Sequence, residues 1–157
     1  MLGDLMINQE NIEALFDCFD RSATLLYKTY KLSYIEGLVV TCENIMANSV
    51  EDKYSDISEE LLKEIELIAS TEFQKEEIRK AFQYACLRGL KHKNVSNQQI
   101  TPDTIGIFIH YLISKLCNKN NLSLLDPLVG TGNLASTIAN QSNLISQRGG
   151  VGDDDVA

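Results

Sequence analysis

The sequence predicts a mainly α-helical N-terminal region followed by the start of an α/β domain. Apolar residues recur at three- and four-residue steps through most of residues 1–99, which is the pattern of amphipathic helices. After residue 100 the pattern changes to one more helix, a short continuous apolar run and two closely spaced glycines. Such a run is typical of a buried parallel strand. We therefore expect a helical bundle or cap over residues 1–99 and an incomplete, Rossmann-like α/β domain over residues 100–157.

The composition indicates an acidic protein that does not contact a membrane. The chain has 157 residues, of which 44% are hydrophobic, and a formal net charge of −8 at pH 7. No apolar run has the length of a transmembrane helix, and the N-terminus lacks the basic and apolar blocks of a secretory signal. We expect a cytoplasmic location. Because acidic surfaces repel phosphates, the charge of this chain does not support DNA binding.

No metal or redox site is predicted from the cysteines and histidines. The histidines lack neighbouring ligands at metal-binding spacing. The cysteines are too far apart for a zinc site or a redox motif, so we expect small buried core residues in a reducing cytoplasm. They are Cys18, Cys42, Cys86 and Cys117. The basic cluster over residues 88–93 lies at the end of a predicted helix, where positive charges interact favourably with the helix dipole. We favour this interpretation of the cluster over a DNA contact.

Two helices are predicted before residue 50. The inner face of the first is expected to contain Ile12, Leu15, Phe16, Phe19, Ala23, Leu26 and Tyr30. Ser33 and Glu36 form an S-x-x-E capping box that begins the second helix. Its expected inner face contains Ile35, Leu38, Val39, Cys42, Ile45 and Met46.

Two further helices follow a polar break over residues 47–56. Thr71 and Gln74 have the spacing of another capping box, which would begin the fourth helix. The expected core positions are Leu61, Leu62, Ile65 and Ile68 in the third helix, and Ile78, Ala81, Phe82 and Ala85 in the fourth. None of the four helices carries a catalytic constellation, so we interpret them as packing elements.

A fifth helix begins the second domain after a polar linker at residues 94–99. Thr101 is placed as its N-cap, Pro102 as its first residue and Asp103 in its first turn. The helix is expected to end near Lys115 and to bury Ile105, Phe108, Ile109, Leu112 and Ile113. Residues 122–125 then form the predicted strand.

Two glycines lie between this strand and a helix predicted from Asn133 to about Gln141. Gly130 and Gly132 supply the torsional freedom of a tight turn and let a ligand approach the backbone. A P-loop is excluded because no lysine occurs between residues 121 and 157. Three interpretations stay open: a turn without ligand, a dinucleotide loop of the G-x-G-x-x-A type ending at Ala135, and a loop for S-adenosylmethionine. The last would use Asp126 to bind the amine of the ligand.

The stretch LLDPLVGTGNL resembles the first motif, D-P-x-x-G-(S/T)-G-x-(F/L), of N6-adenine DNA methylases among the class I S-adenosylmethionine-dependent methyltransferases. Upstream, ITPDTIGIFIHYLI is similar to the T-P-x-x-(I/V) element that these enzymes place one helix before the glycine loop. Two motifs in this order are more specific than either alone. The likeness extends over essentially the whole chain, to adenine-specific methylase-like proteins of Gram-positive bacteria.

The resemblance implies a site for S-adenosylmethionine. Thr101 and Pro102 would lie near the methionine carboxylate, and Asp126, followed by Pro127, would lie near its amine. The turn would wrap the methionine and ribose, and the start of the next helix would form the floor. These residues are Gly130, Thr131 and Gly132, followed by Asn133 and Leu134.

An acidic residue at the end of the next strand would bind the ribose hydroxyls, and Asp153 or Asp154 is the candidate. A disordered acidic tail is the alternative interpretation of that segment.

The resemblance also shows what the chain lacks. The catalytic motif of these enzymes is (N/D)-P-P-(Y/F), but the two prolines of this sequence are not adjacent. We expect the N-terminal portion of a longer methyltransferase, inactive alone, with DNA as a partner of the full-length protein by resemblance only.

Two other classes of protein remain as alternatives. The first is a non-catalytic helical interaction module, which would form a homodimer through apolar surface exposed by truncation. The second is a fragment of an NAD-type oxidoreductase, for which Asp153 lies about 20 residues after the glycine loop, as that fold requires.

Overall fold

The computed structural model describes residues 7–92, 100–117, 122–127 and 129–141. Its backbone contacts divide the chain into two units, Met1–Asn97 and Gln98–Ala157. The first unit contains α1 (Gln9–Tyr30), α2 (Tyr34–Ala47), a 3₁₀ helix (Asp52–Ile57), α3 (Ser58–Ala69) and α4 (Lys75–His92). The second contains α5 (Asp103–Leu116) and α6 (Asn133–Gln141). The helical character of the N-terminal region is therefore confirmed.

Helix α1 is the central packing element of the first unit, since α2, α3 and α4 all contact it. The Asn8 side chain caps its first turn by accepting the Glu10 backbone N–H at 2.9 Å. The apolar stripe predicted for α1 is buried, except that Phe16 and Tyr30 are only half-buried. The fully buried members are Ile12, Leu15, Phe19, Ala23 and Leu26.

Helix α2 begins at the predicted capping box but buries a different face. The Glu36 backbone N–H donates to Ser33 Oγ at 3.3 Å, and the Ser33 N–H donates to Glu36 Oε2 at 2.7 Å. Of the inner face predicted for α2, Leu38 is buried as expected, whereas 51% of Val39 and 87% of Met46 are exposed. The other predicted residues are half-buried: Ile35, Cys42 and Ile45. The buried residues are Tyr34, Gly37, Leu38, Val40, Thr41 and Asn44.

Gly37 explains why α2 turns this face inward. A Cβ at Gly37 would lie 2.9 Å from the backbone oxygen of Ala23, so α1 and α2 approach more closely than any residue with a side chain permits. The close approach requires the small residue to face α1. Counting apolar residues alone misses this requirement, because glycine adds no hydrophobicity to the predicted stripe.

The predicted polar break contains a buried aromatic residue. Tyr54 lies in the 3₁₀ helix and is buried in a cluster with Leu26, Val40, Ile57 and Leu61. Its ring meets that of Tyr30 edge to face, with the ring centroids 5.1 Å apart. The segment between α2 and α3 therefore contributes to the core.

Helices α3 and α4 follow the sequence prediction in part. Leu61, Ile65 and Ile68 are buried on α3, as expected, and Leu62 is half-buried. On α4, Ala81 and Ala85 are buried as expected and Phe82 is half-buried, whereas 45% of Ile78 is exposed. The helix begins at Lys75, which places the residues proposed as a capping box, Thr71 and Gln74, before its first turn.

A buried carboxylate joins the beginnings of α1 and α4. Glu77 accepts the Asn8 backbone N–H at 2.8 Å through Oε1, and through Oε2 the Asn11 side-chain amide and the Gln74 backbone N–H, both at 3.0 Å. The hydrogen bond from Gln74, followed by those from Asn11 and Asn8, lowers the pKa of Glu77. Only 1% of the residue is exposed. The bonds from Asn8 and Asn11 fix the start of α1 against that of α4.

The second unit differs most from the sequence prediction. The N-cap of α5 is Pro102, one residue later than predicted, and no side chain caps the helix. Of the residues expected inside, Ile105, Phe108 and Leu112 are exposed, while Ile109 and Ile113 are half-buried. The buried residue of this helix is Gly106.

The predicted strand is not formed. Residues 122–126 have no regular secondary structure, and 86% of Leu125 is exposed. A parallel strand needs a neighbouring strand for its backbone hydrogen bonds, and none of the described residues forms one. The start of a Rossmann-like sheet is therefore absent from the described part of the chain.

The expected burial of the cysteines holds for the first unit. Cys18 and Cys86 are buried and Cys42 is half-buried, but Cys117 is exposed, so the expectation for this residue is wrong. Burial raises the pKa of Cys18, Cys42 and Cys86 to about 11. No group of residues in the described ranges could hold a metal ion. Nor is any described helix both long and apolar enough to cross a membrane.

We predict that Glu77→Gln lowers the free energy of unfolding by about 2 kcal/mol at pH 7, because three donors lose their charged acceptor. The folded-state pKa of Glu77 is lowered, so its contribution is full above the ordinary pKa of 4.5 and is lost as the pH falls through the lowered value. The difference between wild type and variant should therefore shrink in acid. Urea unfolding at several pH values, followed by circular dichroism, measures it.

The matched control for this variant is Glu66→Gln on the exposed face of α3, which should change stability by less than about 0.5 kcal/mol. An equal loss in both variants, or a difference for Glu77→Gln that does not vary with pH, would contradict the role given to the Glu77 carboxylate.

Candidate functional site

The candidate site is the glycine turn before α6. Gly130 has a φ of 52° and Gly132 a φ of 75°, so both use the left-handed region expected of glycine here. The Gly132 N–H donates to the Val129 carbonyl at 2.7 Å, and the Gly132 carbonyl accepts the Ser136 N–H at 2.9 Å. These bonds close the turn and connect it to α6. Among the described residues, no atom other than those of Gly132 and its two neighbours in the chain lies within 4 Å of the position that a Cβ of Gly132 would occupy.

Helix α6 has the predicted bounds, Asn133–Gln141. Its first turn contains no acidic side chain, so no carboxylate of its own offsets the positive end of its dipole. The backbone N–H groups of the first turn of any helix lack partners within that helix. A negatively charged group is therefore favoured beside the glycine turn.

Asn133 connects this turn to the beginning of α5. Its Nδ2 donates to the Thr101 carbonyl at 2.7 Å and to Asp103 Oδ1 at 3.2 Å. The residue is buried, with 7% of its surface exposed. The contact joins parts of the sequence that lie 32 and 30 residues apart. The two motifs singled out in the sequence therefore meet.

A second contact between α5 and α6 lies one turn further along. The Thr137 Oγ1 donates to the Asn133 carbonyl at 2.7 Å. A Cβ at Gly106 would lie 2.7 Å from the Thr137 methyl carbon, so the helices pack at a distance that only glycine allows. Thr137 is buried, with 3% of its surface exposed.

The structure gives different environments to the other predicted site residues. Pro102 and Pro127 are exposed, and Gly130 is also exposed. Asp126 is half-buried at the end of segment 122–126, which has no regular secondary structure. Thr101, Thr131, Gly132 and Leu134 are half-buried. Asp153 and Asp154 lie outside the described residues.

Three residues of the α5–α6 contact were not predicted from the sequence as part of the site. Asp103 was interpreted only as a residue that suits the helix dipole, yet its carboxylate accepts the Asn133 amide. Gly106 and Thr137 were not singled out. The signal that could have found this contact is a glycine in the interior of a predicted helix. Such a glycine lowers the stability of its own helix, so its presence indicates close packing against a neighbouring helix.

The basic cluster in the helical unit has a structural partner. Arg88 Nε lies 2.7 Å from Asp20 Oδ1, and the same oxygen accepts the Tyr34 hydroxyl at 2.8 Å. Arg88 lines a groove of about 410 Å³ that also carries acidic residues, Glu60 and Glu64 among them. This environment favours the interpretation of Arg88 as a packing residue over a DNA contact.

Comparisons with known proteins agree with a helical N-terminal region. Residues 13–90 match the family model described as the YtxK N-terminal helical domain. The uncharacterized protein YtxK of Bacillus subtilis (strain 168) is 35% identical over 140 residues, which is 86% of this chain and 42% of that protein. The chain therefore spans less than half the length of this relative.

The structure is also similar to a crystal structure from Listeria monocytogenes, that of a candidate class I S-adenosylmethionine-dependent methyltransferase. The TM-score is 0.74 and the sequence identity is 38%, over 85% of this chain and 42% of that one. This similarity supports the resemblance to class I methyltransferases that the sequence indicates. The chain likewise spans less than half the length of this structure.

We predict that Gly132→Ala destabilises the second unit by about 1 kcal/mol, because its positive φ is unfavourable for a residue with a Cβ. Gly132→Asn should cost less, since asparagine adopts this conformation more readily. Space is available for both side chains, so backbone conformation and not steric overlap decides the order. Hydrogen exchange of the α6 amides measures the effect. Equal protection in wild type and in Gly132→Ala would contradict it.

Proposed function

We propose that this chain, whose residues 13–90 match the YtxK N-terminal helical domain, is the N-terminal part of an S-adenosylmethionine-dependent methyltransferase. The observation that carries the proposal is the contact between Asn133 and the Thr101 carbonyl, which brings the proline-led helix and the glycine turn together. The similarity to the Listeria monocytogenes structure supports the same class of protein. Supplying the donor-binding motifs would be the role of residues 100–157.

The chemistry of the donor fits the residues of the turn. S-adenosylmethionine carries an ammonium and a carboxylate, and its sulfonium supplies an electrophilic methyl group. The open space above Gly132 leaves room for a ligand against the backbone. Backbone N–H groups at the beginnings of α5 and α6 suit a carboxylate, and Asp126 suits an ammonium.

The individual roles proposed for these residues come from the resemblance to class I methyltransferases. Thr101 and Pro102 would lie beside the donor carboxylate, and Asp126 beside its ammonium, with Pro127 directing the chain into the turn. Gly130, Thr131 and Gly132 would follow the methionine and ribose, and the half-buried Leu134 would contribute apolar surface. Asp153 remains the candidate for the ribose hydroxyls.

The methyl acceptor is a separate proposal. By resemblance we propose the N6 amine of adenine in DNA as the acceptor of the whole protein. The net charge of −8 gives this chain little attraction for DNA. Recognition of the acceptor would therefore depend on parts of the protein that carry the catalytic (N/D)-P-P-(Y/F) motif, which does not occur in these 157 residues.

Exposed apolar residues in the second unit support a proposal about association. Large hydrophobic residues at the surface include Ile105, Ile107, Phe108, Tyr111, Leu112 and Leu116 of α5. Leu124, Leu125 and Val129 are also exposed. Because exposed apolar side chains concentrated on one helix favour contact with protein, we propose that the chain forms a homodimer through α5 when no other protein surface covers it.

We predict that the purified chain binds S-adenosylhomocysteine, the demethylated donor, and that Asp126→Asn weakens binding about tenfold by removing the partner of the ammonium. Calorimetric titration measures both affinities. Asp52→Asn, an exposed carboxylate of the helical unit, is the matched control and should bind like wild type. Labelled donor should give no methylated DNA with this chain.

Two outcomes would contradict the donor assignment. Absence of heat with both S-adenosylmethionine and S-adenosylhomocysteine would refute donor binding by this chain. A stronger thermal shift with NAD than with either compound would favour the dinucleotide interpretation of the G-x-G-x-x-A loop.

We predict that wild type dimerises with increasing concentration and that Phe108→Lys remains monomeric, since a lysine would disrupt the apolar surface of α5. Tyr27→Lys in α1 is the matched control, because Tyr27 and Phe108 are each 56% exposed. Sedimentation equilibrium compares the three proteins. A monomeric wild type, or equal association of all three, would rule out a dimer through α5.

A further inference from the structure

We infer that Asn133 is a positioning residue that holds the beginning of α5 against the glycine turn, with Asp103 as its partner. The resemblance implies that Asn133 forms part of the floor of the donor site. The structure assigns its side chain to a different task, since the carboxamide nitrogen donates to Asp103, the first residue of α5, and to the carbonyl of Thr101, two residues before that helix. The consequence for donor binding rests on the proposed function.

The chemistry of the asparagine side chain suits this task. A carboxamide has two N–H donors, and one reaches a backbone carbonyl while the other reaches a carboxylate. Because Asn133 is buried, neither bond is readily replaced by water, and losing the amide would leave the Thr101 carbonyl without this donor. The hydrogen bond to Asp103 has a charged acceptor, which makes it stronger than a neutral bond.

The Gly106–Thr137 contact is a second point at which α5 and α6 are held together without a β-sheet among the described residues. Thr137 bonds to the carbonyl of Asn133, so its methyl group and the Asn133 amide are fixed relative to each other on successive turns of α6. Gly106 lets α5 rest directly on that methyl group. The two helices are thus joined at two successive turns although no described residue forms a strand. Within the described residues, the contacts between α5 and α6 therefore preorganise the donor-binding turn without a β-sheet.

A purely structural role for Asn133 makes a different prediction from a positioning role. If the amide only adds stability, its removal should loosen α5 and α6 without a specific effect on the donor. If it positions the turn, donor affinity and the protection of both segments should fall together. Restoring an amide–carboxylate pair should then recover part of the donor affinity and part of the protection.

The test compares Asn133→Ala, Asn133→Asp and the double variant D103N/N133D in the full 157-residue chain. Hydrogen exchange is followed in residues 101–106 and 130–136, and S-adenosylhomocysteine affinity is measured by calorimetry. Gln141→Ala, an exposed amide at the end of α6, is the matched control. Circular dichroism checks that the helical unit remains folded in each variant.

We expect Asn133→Ala to speed exchange in both segments about tenfold and to weaken donor binding by a similar factor. Asn133→Asp should have a larger effect, because its carboxylate would face that of Asp103. D103N/N133D should lie between Asn133→Asp and wild type, since it restores one amide–carboxylate pair but not the bond to Thr101. The exchange of residues 9–92 should not change.

Several outcomes would overturn the inference. One is that Asn133→Ala leaves the exchange of residues 101–106 unchanged, and another is that D103N/N133D shows no recovery. A third is that both segments of the wild-type chain exchange as fast as an unfolded chain. Loss of donor affinity without faster exchange would instead mean that Asn133 contacts the donor directly. If Asn133→Ala speeds exchange in both segments but the wild-type chain binds no S-adenosylhomocysteine, the proposed function is refuted and the positioning role remains supported.

Discussion

Close packing at helical glycines is the constraint on which both units depend. In the first unit, Gly37 meets the backbone of Ala23, and Gly89 of α4 packs against the side chains of Ile35 and Tyr34. In the second unit Gly106 meets Thr137. Each glycine lowers the intrinsic stability of its own helix by up to about 1 kcal/mol relative to alanine, so tertiary packing must offset that cost. The glycines thus set the distances between neighbouring helices.

The interior also contains polar groups, and several of them form hydrogen bonds that connect helices or backbone. Thr41, which is buried on α2, donates its hydroxyl to the Gly37 carbonyl at 2.7 Å. Glu77 and Asn133 each connect the beginnings of two helices that are far apart in sequence. A buried polar side chain with several partners constrains direction as well as distance, which apolar contacts do not. Each unit therefore has one polar connection that fixes how its helix termini meet.

Local rules predicted the parts of the fold that depend on neighbouring residues. The Ser33–Glu36 box, the positive φ of Gly130 and Gly132 and the bounds of α6 are set by a few consecutive residues, and all agree with the structure. The buried face of α2, which was predicted only in part, and the exposure of α5, which was not predicted, depend on partners elsewhere in the chain. The prediction of a strand over residues 122–125 was wrong for the same reason, because a local pattern does not show whether a second strand lies beside the first.

The candidate site was predictable as two motifs but not as one assembly. The sequence pattern identified Thr101 and the glycine turn separately, although the N-cap role predicted for Thr101 belongs to Pro102 in the structure. Nothing local indicated that Asn133 would reach Asp103, because a hydrogen bond between residues 30 apart depends on how two helices cross. Only the helical glycine, Gly106, carried sequence information about that crossing.

The unequal environments of the four cysteines have a practical consequence for studying this molecule. Three thiols are shielded in the helical unit, and their raised pKa keeps them protonated at neutral pH, whereas Cys117 is exposed directly after α5. Maleimide reagents should therefore modify Cys117 first, without any engineered substitution. A fluorophore or spin label attached there would report on motion of α5 in the native chain.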